Sequence, residues 1–125
     1  MAKNGKANDE TAERNALQVL FLNDAFCVKF CKAANLRKSD DDYFSAEFEK
    51  HDIDVFFHIN DTYDIKIEIK PTIGDDYPAM LRQMRRNKSH ILFLKNYKGQ
   101  GATREQFIQI FKQAEISVVF LKQCI

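Results

Sequence analysis

Asp54 and the triplet Glu68-Ile69-Lys70 lie in two stretches of alternating polarity, separated by the turn-forming cluster Asn60-Asp61-Thr62. In the first stretch Ile53, Val55, Phe57 and Ile59 share one face, and Asp54, Phe56 and His58 share the other. In the second, Ile65, Ile67 and Ile69 oppose Asp64, Lys66, Glu68 and Lys70. A hairpin that pairs Ile59 with Tyr63 sets Asp54 directly opposite Glu68. Opposed side chains in a sheet have Cβ atoms about 4.5–5.5 Å apart, so two carboxylates there repel. A hard cation between them removes the repulsion, and Mg²⁺ suits the place because it needs few protein carboxylates and keeps several waters. Lys70 projects from the face of Glu68, since side chains alternate along a strand. Two oxygen ligands and an ammonium are the parts that phosphodiester hydrolysis requires: a metal to polarise the phosphoryl oxygen and acidify a water, and a positive group to orient that water. The plainer reading is a solvated amphipathic hairpin with weak ion pairs such as Asp52 with Lys70. Phe56 argues against it, because an apolar ring is out of place on a fully solvated face. His58, opposite Asp64, reads as a paired imidazole and not as a ligand.

The elements around the hairpin follow from periodicity. Residues 1–8 are small and polar, a disordered start. From residue 9 a helix runs to about residue 23, with Glu13, Leu17, Leu20 and Asp24 at helical spacing. The apolar residues 25–35 read as helix, and the acidic run at 40–42 as a solvated loop. Phe44, Ala46 and Phe48 mark a strand before the hairpin; Pro71 and Gly74 end the strand after it. Asp75 or Asp76 caps a helix with Pro78 in its first turn, and Met80, Leu81 and Met84 form its buried stripe. Residues 91–94 and 116–121 are continuous apolar runs, strands covered on both faces. Between them Gly99-Gln100-Gly101 reads as a flexible turn, and Thr103 with Gln106 forms a capping box. The order α-β-β-β-α-β-α-β predicts one α/β domain over residues 9–125, a mixed four- to five-stranded sheet with helices on both faces.

Asp54, then Glu68-Ile69-Lys70 at the end of the next strand, then a helix carrying Gln83, resembles the PD-(D/E)xK nuclease superfamily over residues 45–121. Holliday-junction-resolvase-like and VRR-type proteins are its small stand-alone members. The resemblance implies the restriction-endonuclease-like fold and a metal-dependent endonuclease or exonuclease using Mg²⁺, with Mn²⁺ as substitute. Asp54 and Glu68 would be the metal ligands with the Ile69 carbonyl, Lys70 the catalytic lysine, and Gln83 a contact to the attacking water or the phosphate. Family members often add an acid from the first helix, which points to Glu13, with Glu47 and Glu49 competing. Arg82, Arg85, Arg86 and Lys88 would grip a phosphate backbone, contacts that carry no sequence information. The implied partner is nucleic acid, DNA in the first place, and cutting both strands would call for a homodimer. Ile53 stands where the family often has proline, and no Gly-rich, Arg-containing segment precedes the acidic strand, which leaves the substrate class open. The alternatives are an inactive protein of the same fold that binds nucleic acid or a partner protein, and a purely structural interaction protein.

Composition bounds these readings. The 125 residues carry 19 Lys plus Arg against 18 Asp plus Glu, a net charge of +1, so any polyanion site is local. At 45% hydrophobic and 30% charged the chain can build a core. No apolar run approaches a bilayer span and no signal-peptide core follows Met1, so a cytoplasmic location without membrane contact is expected. Cys27, Cys31 and Cys124 lack zinc spacing and read as reduced thiols. Tyr77 and Tyr97 read as packing residues more than as platforms for bases.

Overall fold

The alternating segments form a meander. In the computed structural model, which describes residues 5–36 and 39–125, strands β1 (Phe44–Lys50), β2 (Ile53–Ile59) and β3 (Tyr63–Ile69) pair antiparallel. Ile59 faces Tyr63 and the register continues to Val55 opposite Ile67, as the hairpin pattern predicts. The β1–β2 turn consists of His51 and Asp52 with φ of 55° and 63°, and the next turn places Asn60 and Asp61 at 56° and 58°. Consecutive left-handed residues suit the right-handed twist of hairpin strands, and Asn and Asp adopt that region more readily than most side chains.

Beyond β3 the chain changes from local to crossover connections. A short strand β4 (Thr72–Ile73) leads into helix α3 (Tyr77–Asn87), which returns the chain to β5 (Ile91–Leu94), parallel to β3. Strand β6 (Asn96–Tyr97) pairs with β4 in a separate two-stranded sheet. Helix α4 (Arg104–Gln113) then leads to β7 (Ser117–Phe120), parallel to β5. The main sheet is five-stranded and mixed, in the order β1-β2-β3-β5-β7. Gly99-Gln100-Gly101, expected to be a flexible turn, is tied down: Asp75 Oδ1 accepts the amides of Gln100 and Gly101 at 2.7 and 2.9 Å.

Two helical layers sandwich the parallel half of this sheet. Helix α1 (Gly5–Val19) passes through a 3₁₀ turn (Leu20–Leu22) into α2 (Asp24–Ala33), whose start is fixed by Asn23 accepting the Phe26 amide at 2.9 Å. Residues 5–8, expected to be disordered, belong to α1; residues 1–4 of that segment lie outside the described residues. Leu17, Phe21, Phe26 and Phe30 from this layer pack with Val55, Phe57, Ile67, Ile91 and Phe93. On the opposite face Met84, Phe107 and Phe111 pack with Leu92, Leu94 and Phe120. The apolar run of β5 is thereby explained, since alternate residues feed two cores. Cys27, Cys31 and Cys124 are buried and not disulfide-bonded, and burial pushes the Cys27 thiol up to about 12. Tyr97 stacks on Phe107 with ring centroids 4.4 Å apart, and Tyr77 meets the same ring edge-on at 5.8 Å, so both serve in packing. Among the described residues no helix is long and apolar enough to cross a membrane.

The predicted capping box closes α4. Thr103 Oγ1 accepts the Gln106 amide at 3.1 Å, and Gln106 Oε1 accepts the Thr103 amide at 2.8 Å. Thr103→Ala leaves an amide of the first turn without its side-chain acceptor, so urea unfolding is expected to show a loss of about 1 kcal/mol. A variant as stable as the wild type would mean that water serves the helix end equally well.

Candidate active site

The candidate site lies at the carboxyl end of β3, where the sheet changes from antiparallel to parallel neighbours. Open α/β sheets bind ligands beyond the carboxyl ends of their strands. Glu68 faces Leu92 of β5, a residue of the core beneath α3 and α4. It stands at the border of that cover and is 3% exposed.

One step past Val55 and Ile67 the β2–β3 ladder opens. Asp54 continues it with its side chain: Oδ2 accepts the Ile69 amide at 2.8 Å, tying Asp54 to the strand that carries Glu68. On β1, Glu49 sits between the rungs Phe48–Val55 and Lys50–Ile53, level with Asp54, with φ of 54°. Glu49, Asp54 and Glu68 therefore form a row across three strands. Like charges in such a row need a counter-charge.

Helix α1 supplies it. Arg14 Nη1 donates to Asp54 Oδ1 at 3.0 Å, and Nη2 donates to Glu49 Oε2 at 3.3 Å. Gln18, one turn further and 5% exposed, donates to Glu49 Oε2 at 3.3 Å and to the Asp54 carbonyl at 3.1 Å. Lys70 Nζ is 2.5 Å from Glu10 Oε1. Glu68 has the poorest set of partners. Gln83 Nε2 approaches its Oε2 at 3.4 Å, whereas Oε1 is buried with no hydrogen-bond partner. Burial first, and then the charge of Asp54, push the Glu68 carboxyl up to about 8. Burial also raises Asp54, against the opposing pull of the Ile69 amide and Arg14. The two carboxyls titrate as a pair.

Two open clefts of about 430 and 420 Å³ meet here and share Arg14, Asp54 and Gln83 as a common wall. Glu49, Arg86 and Asn87 line the first; Glu10, Glu68, Ile69 and Lys70 line the second. The structure thus brings together Asp54, Glu68, Ile69, Lys70 and Gln83, the set expected from sequence.

Other expectations are corrected. Glu13 does not turn toward the carboxylates; its Oε2 accepts from Lys95 Nζ at 3.3 Å. At 3.6 residues per turn Glu13 and Arg14 project on either side of the buried Leu17, and only the Arg14 side reaches Asp54. Glu10 is the helix acid at the cleft. Glu47 is engaged with Lys50 at 2.9 Å and His58 Nε2 at 3.1 Å, and His58 Nδ1 meets Asp64 at 2.9 Å, the paired imidazole that was expected. Of the basic residues of α3 and its C-cap, Arg86 lines a cleft, while Arg82, Arg85 and Lys88 are exposed outside both. Sequence reasoning missed Glu10, Arg14 and Gln18. Their spacing of four residues is that of one helix face, and a glutamine between Leu17 and Val19 was the available signal.

Among the described residues no group of three or more His, Cys, Asp and Glu side chains is gathered so as to hold a metal ion. The chain matches no protein-family model, no curated protein and no solved structure.

Proposed function

We propose that the chain is a metal-dependent nuclease of the PD-(D/E)xK kind with a restriction-endonuclease-like fold, acting on the phosphodiester backbone of nucleic acid, DNA in the first place. The observation that carries the reading is the buried, unpartnered Glu68 Oε1 beside Asp54, with Lys70 one residue past the end of the same strand. A buried carboxylate oxygen without a donor is costly in a protein that uses it for nothing. The donor set suits a small hard cation, since Mg²⁺ is commonly held by one or two carboxylates and keeps waters for the rest of its shell. Asp54 and Glu68 would hold it, with the Ile69 carbonyl. Bound there, the ion would polarise a phosphoryl oxygen and make a water acidic.

The chain's own groups do the remainder. Lys70 orients the attacking water and offsets charge that develops on the phosphate. Gln83, within reach of Glu68, holds that carboxylate or a phosphate oxygen in place. Arg86 at the cleft wall, with Arg82 and Arg85 further out on α3 and Lys88 at its C-cap, grips neighbouring phosphates.

The test is thermal melting with and without millimolar Mn²⁺ or Mg²⁺. A ligand that binds only the folded state raises its stability, so an upshift is expected in the wild type and not in Asp54→Asn. An equal shift in both proteins, or cleavage absent from the wild type with either ion and any DNA or RNA tried, would sink the proposal. Occupation of Asp54 by Arg14 and the Ile69 amide favours a second reading, a nuclease-fold module that binds without turnover. It requires that nucleic-acid binding survive Asp54→Ala.

A further inference from the structure

Both oxygens of the Asp54 carboxylate are engaged. Its Oδ2 is taken by the Ile69 amide, and Oδ1 is taken by the Arg14 guanidinium. Lys70, the group that would meet a phosphate, is held by Glu10 of the same helix. Glu10 and Arg14 are one turn apart on α1 and so share a face. That face is fixed from the next turn by Gln18, bonded to the Asp54 carbonyl.

We infer, on the reading of the site as a metal-dependent nuclease, that the N-terminal part of α1 is an internal pseudo-substrate: the Arg14 guanidinium takes the place of the divalent cation on Asp54, and the Glu10 carboxylate takes the place of a substrate phosphate on Lys70. The substitution is chemically close. A guanidinium satisfies the same carboxylate oxygen that a hard cation seeks, and carboxylate and phosphate accept the same ammonium hydrogens.

The stand-ins can leave without the helix. The side chains of Arg14, Lys70 and Glu10 are 29%, 30% and 51% exposed, so water and salt compete for both ion pairs. Leu17 and Gln18, 4% and 5% exposed, anchor the helix below them. Arg14 is also part of the wall between the two clefts. Once it swings off Asp54 they join into a trough with Lys70 toward one end and Arg86 toward the other. Arg14 then remains beside the site as a free guanidinium, suited to a backbone phosphate. Metal and nucleic acid thus each discharge one half of the same strap.

The experiment titrates Mn²⁺ alone into wild type, Arg14→Gln, Glu10→Gln and Asp54→Asn, with bound and free ion counted by paramagnetic resonance and folding checked by circular dichroism. Arg14→Gln is expected to bind Mn²⁺ at least about fivefold tighter than wild type, the lower end of ordinary site-to-site coupling. Arg14→Lys, whose single ammonium cannot span Asp54 and Glu49, should fall between and covers the case in which the glutamine variant does not fold. Glu10→Gln should leave Mn²⁺ affinity unchanged and tighten binding of a short labelled DNA duplex in Ca²⁺. If Asp54→Asn abolishes Mn²⁺ binding but neither Arg14 variant binds it better than wild type, Arg14 is a scaffold for its carboxylates; the inference fails and the metal reading stands. Weaker duplex binding by Glu10→Gln overturns the phosphate half. If wild type and Arg14→Gln both bind no Mn²⁺, or Asp54→Asn binds it as well as wild type, both the inference and the nuclease reading fall.

Discussion

On the reading of the site as a metal-dependent nuclease, Glu68→Gln is expected to lower Mg²⁺-dependent cleavage of DNA by about a thousandfold, and in the same protein to raise the melting temperature of the metal-free form at alkaline pH. The first effect follows from loss of an anionic ligand at the point where charge must be stabilised, a loss of the order seen when one preorganised electrostatic group is removed. The second follows from burial. The folded Glu68 carboxyl releases its proton near pH 8, against about 4.3 for an unperturbed glutamate. Between those values the folded state holds more protons than the unfolded one, so stability falls as pH rises through that interval. Below it the group is neutral in both states and the substitution changes little. Above it the wild type carries a buried charge that the amide lacks. The wild type is therefore expected to melt below the amide variant above that interval. Melting curves at about pH 4 and pH 9, in chelator, separate the two regimes. Equal melting temperatures at pH 9 would show that Glu68 is already compensated, and would remove the main support for a cation site.

Phe21→Ala is expected to cost about 3–5 kcal/mol in guanidinium unfolding. The ring is 1% exposed, and its centroid lies 5.1, 4.8, 5.5 and 5.6 Å from those of Phe26, Phe30, Phe57 and Phe93. Such edge-to-face pairs add to simple burial. No neighbour can refill the space without abandoning one of these contacts, so the cavity term is largely retained. The substitution should also disturb the site from behind, because the 3₁₀ turn that holds Phe21 directly follows the helix that presents Arg14 and Gln18. A loss below about 1.5 kcal/mol would mean that the α1–α2 layer closes over the gap.

The hairpin was legible because its information is local. Alternation along residues 53–59 and 63–69 and the turn between them fix the register, and the register alone brings Asp54 and Glu68 together. The apolar strand at 91–94 was equally plain, since nothing but burial on two faces explains four consecutive large apolar residues. The break at Leu20–Leu22 was not visible, because Leu20, Phe21 and Leu22 continue an apolar run that a straight helix would also carry. Strands of two residues, such as β4 and β6, are too short to show a period. The contribution of α1 was hidden for a different reason. Arg14 meets Asp54 across 40 residues and Glu10 meets Lys70 across 60, and no local pattern on the helix announces partners so far away. Periodicity located the buried stripe of the helix and hence suggested Glu13. Which flank of that stripe faces the carboxylates depends on how the helix crosses the sheet.

The outermost strand also bears on solubility. β1 has a neighbour on one side only, and a flat open edge is a template for a foreign strand. Here the edge is interrupted by its own site residue: Glu49 adopts φ of 54°, which no continuing extended strand can match, and Glu47 and Lys50 add charge on either side. The conformation that sets Glu49 beside Asp54 to receive Arg14 is thus also a guard against aggregation. A substitution that straightened the chain at this position would expose the edge to self-association as well as disturb the carboxylate row.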